Sequence, residues 1–504
     1  MKTIDKFLNS ITMYRLVLYG LGCLAGIAVV LGFLGILSFS GWALLGSAII
    51  LMVVCNLANW AVAKILKISA NVESSSITAL ILFFLLAPTL DSMGIMTMII
   101  AGMIAMLSKY ILKINKKHIF NPAAITAVIL DLAGSGLVIW WIGSLVMLPF
   151  ALVVGLLIVR KLRKFPLFLS FLLVSLVTMI GFGFSVNEKL ADILTLAFTS
   201  WPLIFLGTVM LTEPLTTPPH KKFQILYGVI VGFLFAAQFK FGPVYGTPEL
   251  ALVIGNIFSF AVSSKQRLML SLREKIELVP NIYEFSFQPN QKLFFAPGQY
   301  LEWTLGHSKP DNRGIRRYFT IASSPTEDTI KLTVRTSEKG SSFKQKLLEM
   351  KPGDQLTASS LGGEFTLPPD EKQKLVFIAG GIGLTPFRSM IQYLIDKKQP
   401  RDVVFFYACA NENDFVYQDI FEKAQKEIGL KVIFVCTNAK NTTQQWKGKT
   451  GYITKEIIAQ EVSDYEQRTF YLSGPEAMVQ SYKQLLKTLQ IKPHQIVTDY
   501  FPGF

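Results

Sequence analysis

Between an apolar run, Lys374 to Ile378, and a helix-forming stretch that begins near Phe387 lies Ala379-Gly380-Gly381-Ile382-Gly383-Leu384-Thr385-Pro386. Glycines there let a backbone approach a pyrophosphate, and a helix that follows offers free amides and the positive end of its dipole to the same anion. The pattern departs from G-x-G-x-x-G, and a glycine pair after a strand also serves as a plain tight turn. Its company favours the anion site. Upstream stand Arg316-Arg317-Tyr318-Phe319-Thr320-Ile321-Ala322-Ser323, then Lys339-Gly340-Ser341-Ser342, then Leu361-Gly362-Gly363-Glu364-Phe365; downstream stands Leu472-Ser473-Gly474-Pro475-Glu476-Ala477-Met478.

The elements around these strings change character along the chain. From Leu268 short alternating runs such as Ile282 to Phe287, Tyr300 to Leu305 and Ile330 to Val334 predict strands of a small antiparallel barrel. After Pro369 strands predicted at Lys374 to Ile378, Val403 to Tyr407 and Lys431 to Cys436 alternate with helices at Phe387 to Lys397 and near Phe421. That alternation predicts a parallel sheet with crossovers.

The ordered strings resemble the ferredoxin–NADP reductase superfamily over essentially all of residues 268–504. The resemblance implies an FAD-binding β-barrel over 268–369 and a nicotinamide-binding α/β domain over 370–504. The family's R-x-[FY]-[ST] signature falls on Arg317, Phe319 and Thr320. By that resemblance Phe319 lies against the isoalloxazine, Thr320 bonds its polar edge, and Arg317 offers a forked donor to the phosphates. Gly340, Ser341 and Ser342 cradle the FAD pyrophosphate, and Gly380, Gly381 and Gly383 approach the nicotinamide dinucleotide. Thr385 and Ser473 stand at the hydride-transfer site, with Gly474, Pro475 and Met478 along the nicotinamide's path. Many relatives have Cys where Ser473 stands. Family tails commonly place an aromatic near the flavin, a part open here to Phe504 or Phe501. The loop Ala410-Asn411-Glu412-Asn413-Asp414 is acidic without a basic residue close in sequence, which favours NADH; Lys440 on the next loop keeps NADPH open.

The 504 residues are 51% hydrophobic and 16% charged, with a net charge of +15. The first 267 residues hold 19 of the 49 Lys and Arg and 8 of the 34 Asp and Glu, so +11 of that charge sits in an apolar region. A disordered chain, a single soluble enzyme and a disulfide-stapled protein are excluded. Stretches at Leu16 to Phe39, Trp42 to Ala63, Met93 to Leu112, Leu137 to Val159 and Leu167 to Phe184 predict full-length spans. Shorter ones at Ile77 to Leu90, Pro122 to Leu132, Leu190 to Leu211, Leu226 to Phe239 and Leu250 to Val262 bring the expectation to about ten, some broken. With ten crossings, 17 Lys and Arg fall on one side and only Lys189 and Lys240 on the other. Both ends of the domain then face the cytoplasm, and the charge needs no nucleic-acid partner.

Leu21-Gly22-Cys23 has too little apolar sequence before it for a lipoprotein signal. Cys23, Cys55, Cys409 and Cys436 form no ligand spacing, and His118 and His220 sit at loop ends, so no metal centre is expected.

Three strings, Thr78 to Pro88, His118-Ile119-Phe120-Asn121-Pro122-Ala123-Ala124 and Thr212-Glu213-Pro214-Leu215-Thr216-Thr217-Pro218, resemble the membrane subunits B of the sodium-pumping NADH:quinone reductase and D of the Rnf complex. That resemblance implies a second flavin within residues 1–267 of a bacterial inner-membrane protein. The relatives attach FMN to a threonine in S-G-A-T, whereas no Gly-Ala dipeptide occurs here. A non-covalent FMN or riboflavin, or a bound quinone, remains, with Asn121, Thr212, Thr216 and Thr217 as its expected surroundings. The expected activity is an FAD-dependent NAD(P)H oxidoreductase in the lipid bilayer. Electrons would pass from cytoplasmic NADH through FAD to the membrane carrier and on to an extracytoplasmic acceptor. The alternative is an NADH:quinone oxidoreductase, with Na+ or H+ translocation as an added possibility; Asp131 and Glu213 are its nearest candidates.

Overall fold

The computed structural model describes every residue except 1–7, 9–10, 67–71, 115–116, 243, 264–266, 308–309, 312–313, 338–339 and 502–504. The chain divides into two compact units, Met1–Gln266 and Arg267–Phe504.

The first unit is helical: α1 Met13–Phe33, α2 Gly41–Ile65, α3 Val72–Leu85, α4 Ser92–Ile111, α5 Pro122–Leu132, α6 Leu148–Leu162, α7 Phe165–Ser185, α8 Leu190–Thr199, α9 Lys221–Ala236 and α10 Pro248–Val262. Among the described residues α1, α2, α4 and α7 are long and apolar enough to cross a membrane. A fifth span is counted if α8 and the stretch Leu203–Met210, bent by 61° from it, are taken together. The expectation of about ten is thereby corrected. At 1.5 Å per residue, the 14, 11 and 15 residues of α3, α5 and α10 reach only about half to three quarters of a roughly 30 Å hydrocarbon layer. Leu137 to Val159, expected as one span, breaks at Trp140, whose φ of 48° is left-handed, and α6 restarts with a proline in its first turn. A sum of apolarity does not register such breaks.

Helix α3 is buried on all sides from Thr78 to Leu85, as an all-round apolar helix at the centre of a bundle should be. Helices α2 and α7 instead leave Trp42, Leu57, Leu173 and Val177 exposed. The basic helix ends gather at one end of this unit. Arg15, at the start of α1, pairs with Glu73 at the start of α3 at 2.9 Å; Lys109 near the end of α4 donates to the Ser74 carbonyl at 2.9 Å; Lys161 at the end of α6 reaches the Leu8 carbonyl at 2.5 Å.

The second unit begins with a six-stranded antiparallel sheet of β1 Leu268–Val279, β2 Ile282–Pro289, β3 Tyr300–Thr304, β4 Arg316–Thr320, β5 Ile330–Arg335 and β6 Gln355–Gly362, with α11 Ser342–Glu349 before the last strand. Its order is β4-β3-β6-β1-β2-β5, and the inward residues Leu270, Phe285, Phe287, Trp303, Leu332 and Phe343 form its core. Next come β7 Leu375–Gly380, α12 Thr385–Asp396, β8 Val403–Cys409, α13 Gln418–Ile428, β9 Lys431–Cys436, β10 Lys449–Thr450, α14 Lys455–Glu461, β11 Thr469–Pro475, α15 Glu476–Thr488 and β12 Ile496–Phe501. These strands form a parallel sheet in the order β10-β9-β8-β7-β11-β12, buried on both faces, so β7 and β8 read as unbroken apolar runs. The chain winds one way from β7 to β8 and the other way to β11. The crevice beyond the carboxyl ends of β7 and β11 is therefore the switch point where such sheets take ligands.

Arg388 of α12 is buried at the joint between the two sheets, 3% exposed. It donates to the Ala322 carbonyl at 3.2 Å and to both oxygens of Glu327, and lies 5.4 Å from the Tyr417 ring centroid. Beside it, Ser389 Oγ donates to the Ser323 carbonyl at 2.7 Å, and Tyr417 donates to Glu284 at 2.6 Å.

At the opposite ends of the parallel strands, Arg468 binds Asp402 through two bonds of 2.7 and 3.0 Å and Asp464 at 2.6 Å; Lys374 also reaches Asp464, at 2.7 Å. These residues immediately precede β11, β8 and β7. The Arg468 guanidinium, with Lys374, holds the Asp464 carboxyl down to about 2. A carboxylate whose folded value is lowered stabilises the fold above its unfolded value, about 4, and loses that contribution as pH falls toward its folded value. Between about pH 4 and 2 the wild-type unit should therefore lose about 1–2 kcal/mol that Asp464→Asn does not lose. Comparison of urea midpoints for the two proteins across that window measures it.

Candidate functional site

Two groups of residues converge in the second unit. The first is built on β4 and the start of α11. Arg317 and Phe319 share one face of β4, and both pack on Phe343, the buried second residue of α11: the Arg317 guanidinium lies 5.5 Å and the Phe319 ring 5.7 Å from the Phe343 ring centroid. Ser341 caps α11, accepting from the Lys344 amide at 3.4 Å, and leaves amides of the first turn pointing out of the helix. Gly340 is pressed on the Ser337 carbonyl, which a Cβ at 340 would approach to 2.8 Å. Forked cation, helix amides and Ser342 thus share one place, which is the donor set of an anion site.

Two residues that spacing alone does not single out complete this cradle. The Asp311 carboxylate accepts from Arg317 Nη2 at 2.9 and 3.1 Å and from the Ser342 amide at 3.1 Å. His307 Nδ1 faces the Leu305 carbonyl at 2.9 Å and Nε2 faces Ser342 Oγ at 2.9 Å. A carbonyl only accepts, so Nδ1 carries the proton.

The second group sits at the switch point. The Gly380-Gly381-Ile382-Gly383 turn packs directly on the end of β11. A Cβ at Gly383 would come within 2.4 Å of the Ser473 carbonyl and 2.5 Å of Gly474 Cα, and one at Gly380 within 2.1 Å of Met478 Sδ. Pro475 and Gly474 line the same contact. Gly381 has φ +52° and faces open space, so the backbone there is left-handed and uncovered. Thr385 opens α12, buried, with its hydroxyl on the Ile382 carbonyl at 3.4 Å. Phe501 pairs in register with Pro475 on β12; Phe504 lies outside the described residues.

Thr320 and Ser473 have buried hydroxyl oxygens with no partner. Leaving such a group unpaired costs about 1–3 kcal/mol. One hydroxyl sits on β4 in the Arg317-Tyr318-Phe319-Thr320 string and the other near the carboxyl end of β11, so both offer a spare bond that the polar edge of an isoalloxazine and a nicotinamide amide would fit. The expectation that the acidic loop lacks a basic neighbour is corrected: Arg335, distant in sequence, pairs with Asp414 at 2.8 Å. Glu412 accepts from the Thr443 amide at 2.8 Å. Burial pushes the Cys409 thiol up to about 12, so it stays protonated and inert.

In the helical unit Asn121, Thr216 and Glu213 do meet. Asn121 Nδ2 donates to Glu213 Oε2 at 2.8 Å and Thr216 Oγ1 to the same oxygen at 3.1 Å. Asn121 Oδ1 caps α5, Thr212 donates to the Thr208 carbonyl at 2.7 Å, and Thr217 to the Glu213 carbonyl at 2.6 Å. Asp131 hydrogen-bonds Glu249, which also accepts from Trp140 Nε1 at 2.7 Å. Among the described residues no cluster able to hold a metal occurs.

Both matching family models fall in the second unit. Residues 268–366 match the oxidoreductase FAD-binding domain and residues 377–484 the oxidoreductase NAD-binding domain. The chain is 27% identical over 226 residues to the phenol hydroxylase P5 protein of Acinetobacter pittii, covering 45% of this chain and 63% of that one. It is 25% identical over 212 residues to the glycine betaine monooxygenase reductase subunit of Chromohalobacter salexigens, covering 41% and 57%. Among solved structures, the cytochrome P450 reductase GcoB of Amycolatopsis aligns with a TM-score of 0.42 at 23% identity, over 47% of this chain and 70% of that one. The chain spans less than two thirds of the two curated relatives' length. Residues 268–484 thus carry the FAD- and NAD-binding domains of a flavin-dependent NAD(P)H oxidoreductase.

Because Ser473 Oγ is buried and bonds nothing in the protein, Ser473→Ala should hold or raise the melting temperature while lowering kcat/KM for NADH roughly three- to tenfold. Gly383→Ala should behave oppositely, costing about 1–3 kcal/mol in stability because its methyl meets backbone and not a movable side chain. Thermal melts and NADH-dependent dye reduction on the two variants separate these outcomes.

Proposed function

We propose that the protein is a membrane-bound NADH oxidoreductase that takes electrons from cytoplasmic NADH at its carboxy-terminal unit and sends them across the bilayer to an extracytoplasmic acceptor. The observation that supports the redox half is the pair of unpartnered buried hydroxyls, Thr320 on β4 and Ser473 near the carboxyl end of β11. When bound, FAD supplies the chemistry of accepting a hydride and releasing electrons singly. The chain's part is to hold its phosphates with Arg317 and the α11 amides, to orient the ring with Phe319 and Thr320, and to admit nicotinamide along Gly380, Gly474 and Met478.

The membrane half of the reading rests on fusion of this unit to helices long and apolar enough to span a bilayer. Lys109, Arg160, Lys161 and the start of α1 belong to one end of that unit, the bias of a cytoplasmic face. An insulating layer of roughly 30 Å needs an intermediate carrier, here a non-covalent flavin or a quinone. Asn121, Thr212, Thr216 and Thr217 are its proposed surroundings, two of which, Asn121 and Thr216, meet on Glu213. NADH is the proposed donor, because the loop after β8 is acidic, with Glu412 held by the Thr443 amide and Asp414 by Arg335.

Proteoliposomes test the reading. With NADH outside, on the reductase side, and ferricyanide trapped inside, the trapped acceptor should be reduced. Rapid reduction of added quinone with the trapped acceptor untouched would move the exit into the bilayer; reduction of a soluble oxygenase component alone would align the protein with its named relatives and overturn the transmembrane path. A purified protein that releases one FAD and holds no further flavin or quinone would contradict the second carrier.

A further inference from the structure

The donors expected to hold a pyrophosphate are already holding an anion, and the chain itself provides it. Asp311 takes the Arg317 fork through both carboxylate oxygens, 2.9 and 3.1 Å from Nη2, and takes the Ser342 amide at the head of α11 at 3.1 Å. Its own amide closes the ring, donating to Ser342 Oγ at 2.9 Å. Arg317 is 12% exposed and Asp311 27%. The guanidinium is also fixed from behind by the Gly314 and Arg316 carbonyls at 2.9 and 2.7 Å. The cation is therefore the stationary partner, and the carboxylate, nearer to water, is the one able to leave.

We propose that Asp311 is an internal stand-in for the cofactor's pyrophosphate, and that FAD binds by exchange: the carboxylate swings out to solvent as the phosphates take over Arg317 and the α11 amides. This deepens the assignment of that cradle to FAD and rests on it. Two anions cannot share one fork and one helix end without repulsion, so the exchange is obligatory. The device has a selective consequence. A monophosphate only replaces one anion by another, whereas a pyrophosphate brings a second phosphate, so the occupied cradle favours dinucleotide flavin over FMN or free phosphate.

The test uses the full-length protein in detergent, stripped of flavin by dialysis against bromide and titrated with FAD or FMN while flavin fluorescence is followed. Asp311→Asn should bind FAD about fivefold more tightly, the size of a partly exposed charge pair, and should narrow the preference for FAD over FMN. In stopped flow the wild-type observed rate should level off with rising FAD, because release of Asp311 precedes capture, while Asp311→Asn should stay linear to higher concentration. Asp311→Ser repeats the test without the amide that Asn could use as a substitute acceptor. If both variants bind FAD no better than wild type, or more weakly, Asp311 supports Arg317 and does not occupy its site, and the proposal fails. Arg317→Ala separates this from the cradle assignment: it should lose FAD affinity tenfold or more, and if it binds as wild type does, the cradle itself lies elsewhere.

Discussion

The second unit depends on one buried cation. Arg388 sits where barrel and parallel sheet meet, and burial alone would weaken its charge; the two Glu327 bonds more than restore it. Breaking a buried pair of this kind costs about 3–5 kcal/mol, because the surviving charge is left in a poor solvent. The same side chain holds the Ala322 carbonyl, two residues beyond Thr320, while its helix begins at Thr385. A single contact therefore sets the flavin strand against the glycine-rich turn. The cradle at α11, the orphan hydroxyls at 320 and 473 and the crevice at the switch point are all placed with respect to that joint.

Much of this unit was legible in the sequence because its signals are local. The strand expected at Lys431 to Cys436 is found at those residues, and the alternation at Tyr300 and Ile330 gives β3 and β5 with ends shifted by a residue. Glycines 380 and 383 announced a close approach, and the structure shows what is approached: Met478 and the backbone of Ser473. What sequence did not disclose are partners that meet only through the fold. Arg335 reaches Asp414 from 79 residues away, and Arg388 reaches Glu327 from 61. Asp311 is only six residues from Arg317. Even so, nothing in its spacing says that its carboxylate turns back into the cradle.

The helical unit was read less accurately for a different reason. Hydropathy measures how comfortable a segment is away from water, and a helix buried in protein is as comfortable as one in lipid. Helix α3 is apolar because other helices surround it, and α5 and α10 are too short to span alone. Pro202, Pro149 and the left-handed Trp140 break stretches that a window joins. Two of the polar residues picked out for a ligand, Asn121 and Thr216, meet on Glu213, a contact between strings 92 residues apart that no spacing discloses.

A side chain at position 383 would meet main chain first: the Ser473 carbonyl and the Cα and amide nitrogen of Gly474. The wall of the crevice at this turn is thus main chain, which every residue shares, and the Ser473 hydroxyl, which bonds nothing, adds no support to it. A frame of that kind lets a hydroxyl at 473 be exchanged for another small group without refolding the turn, because the shape there is set by backbone and not by the side chain.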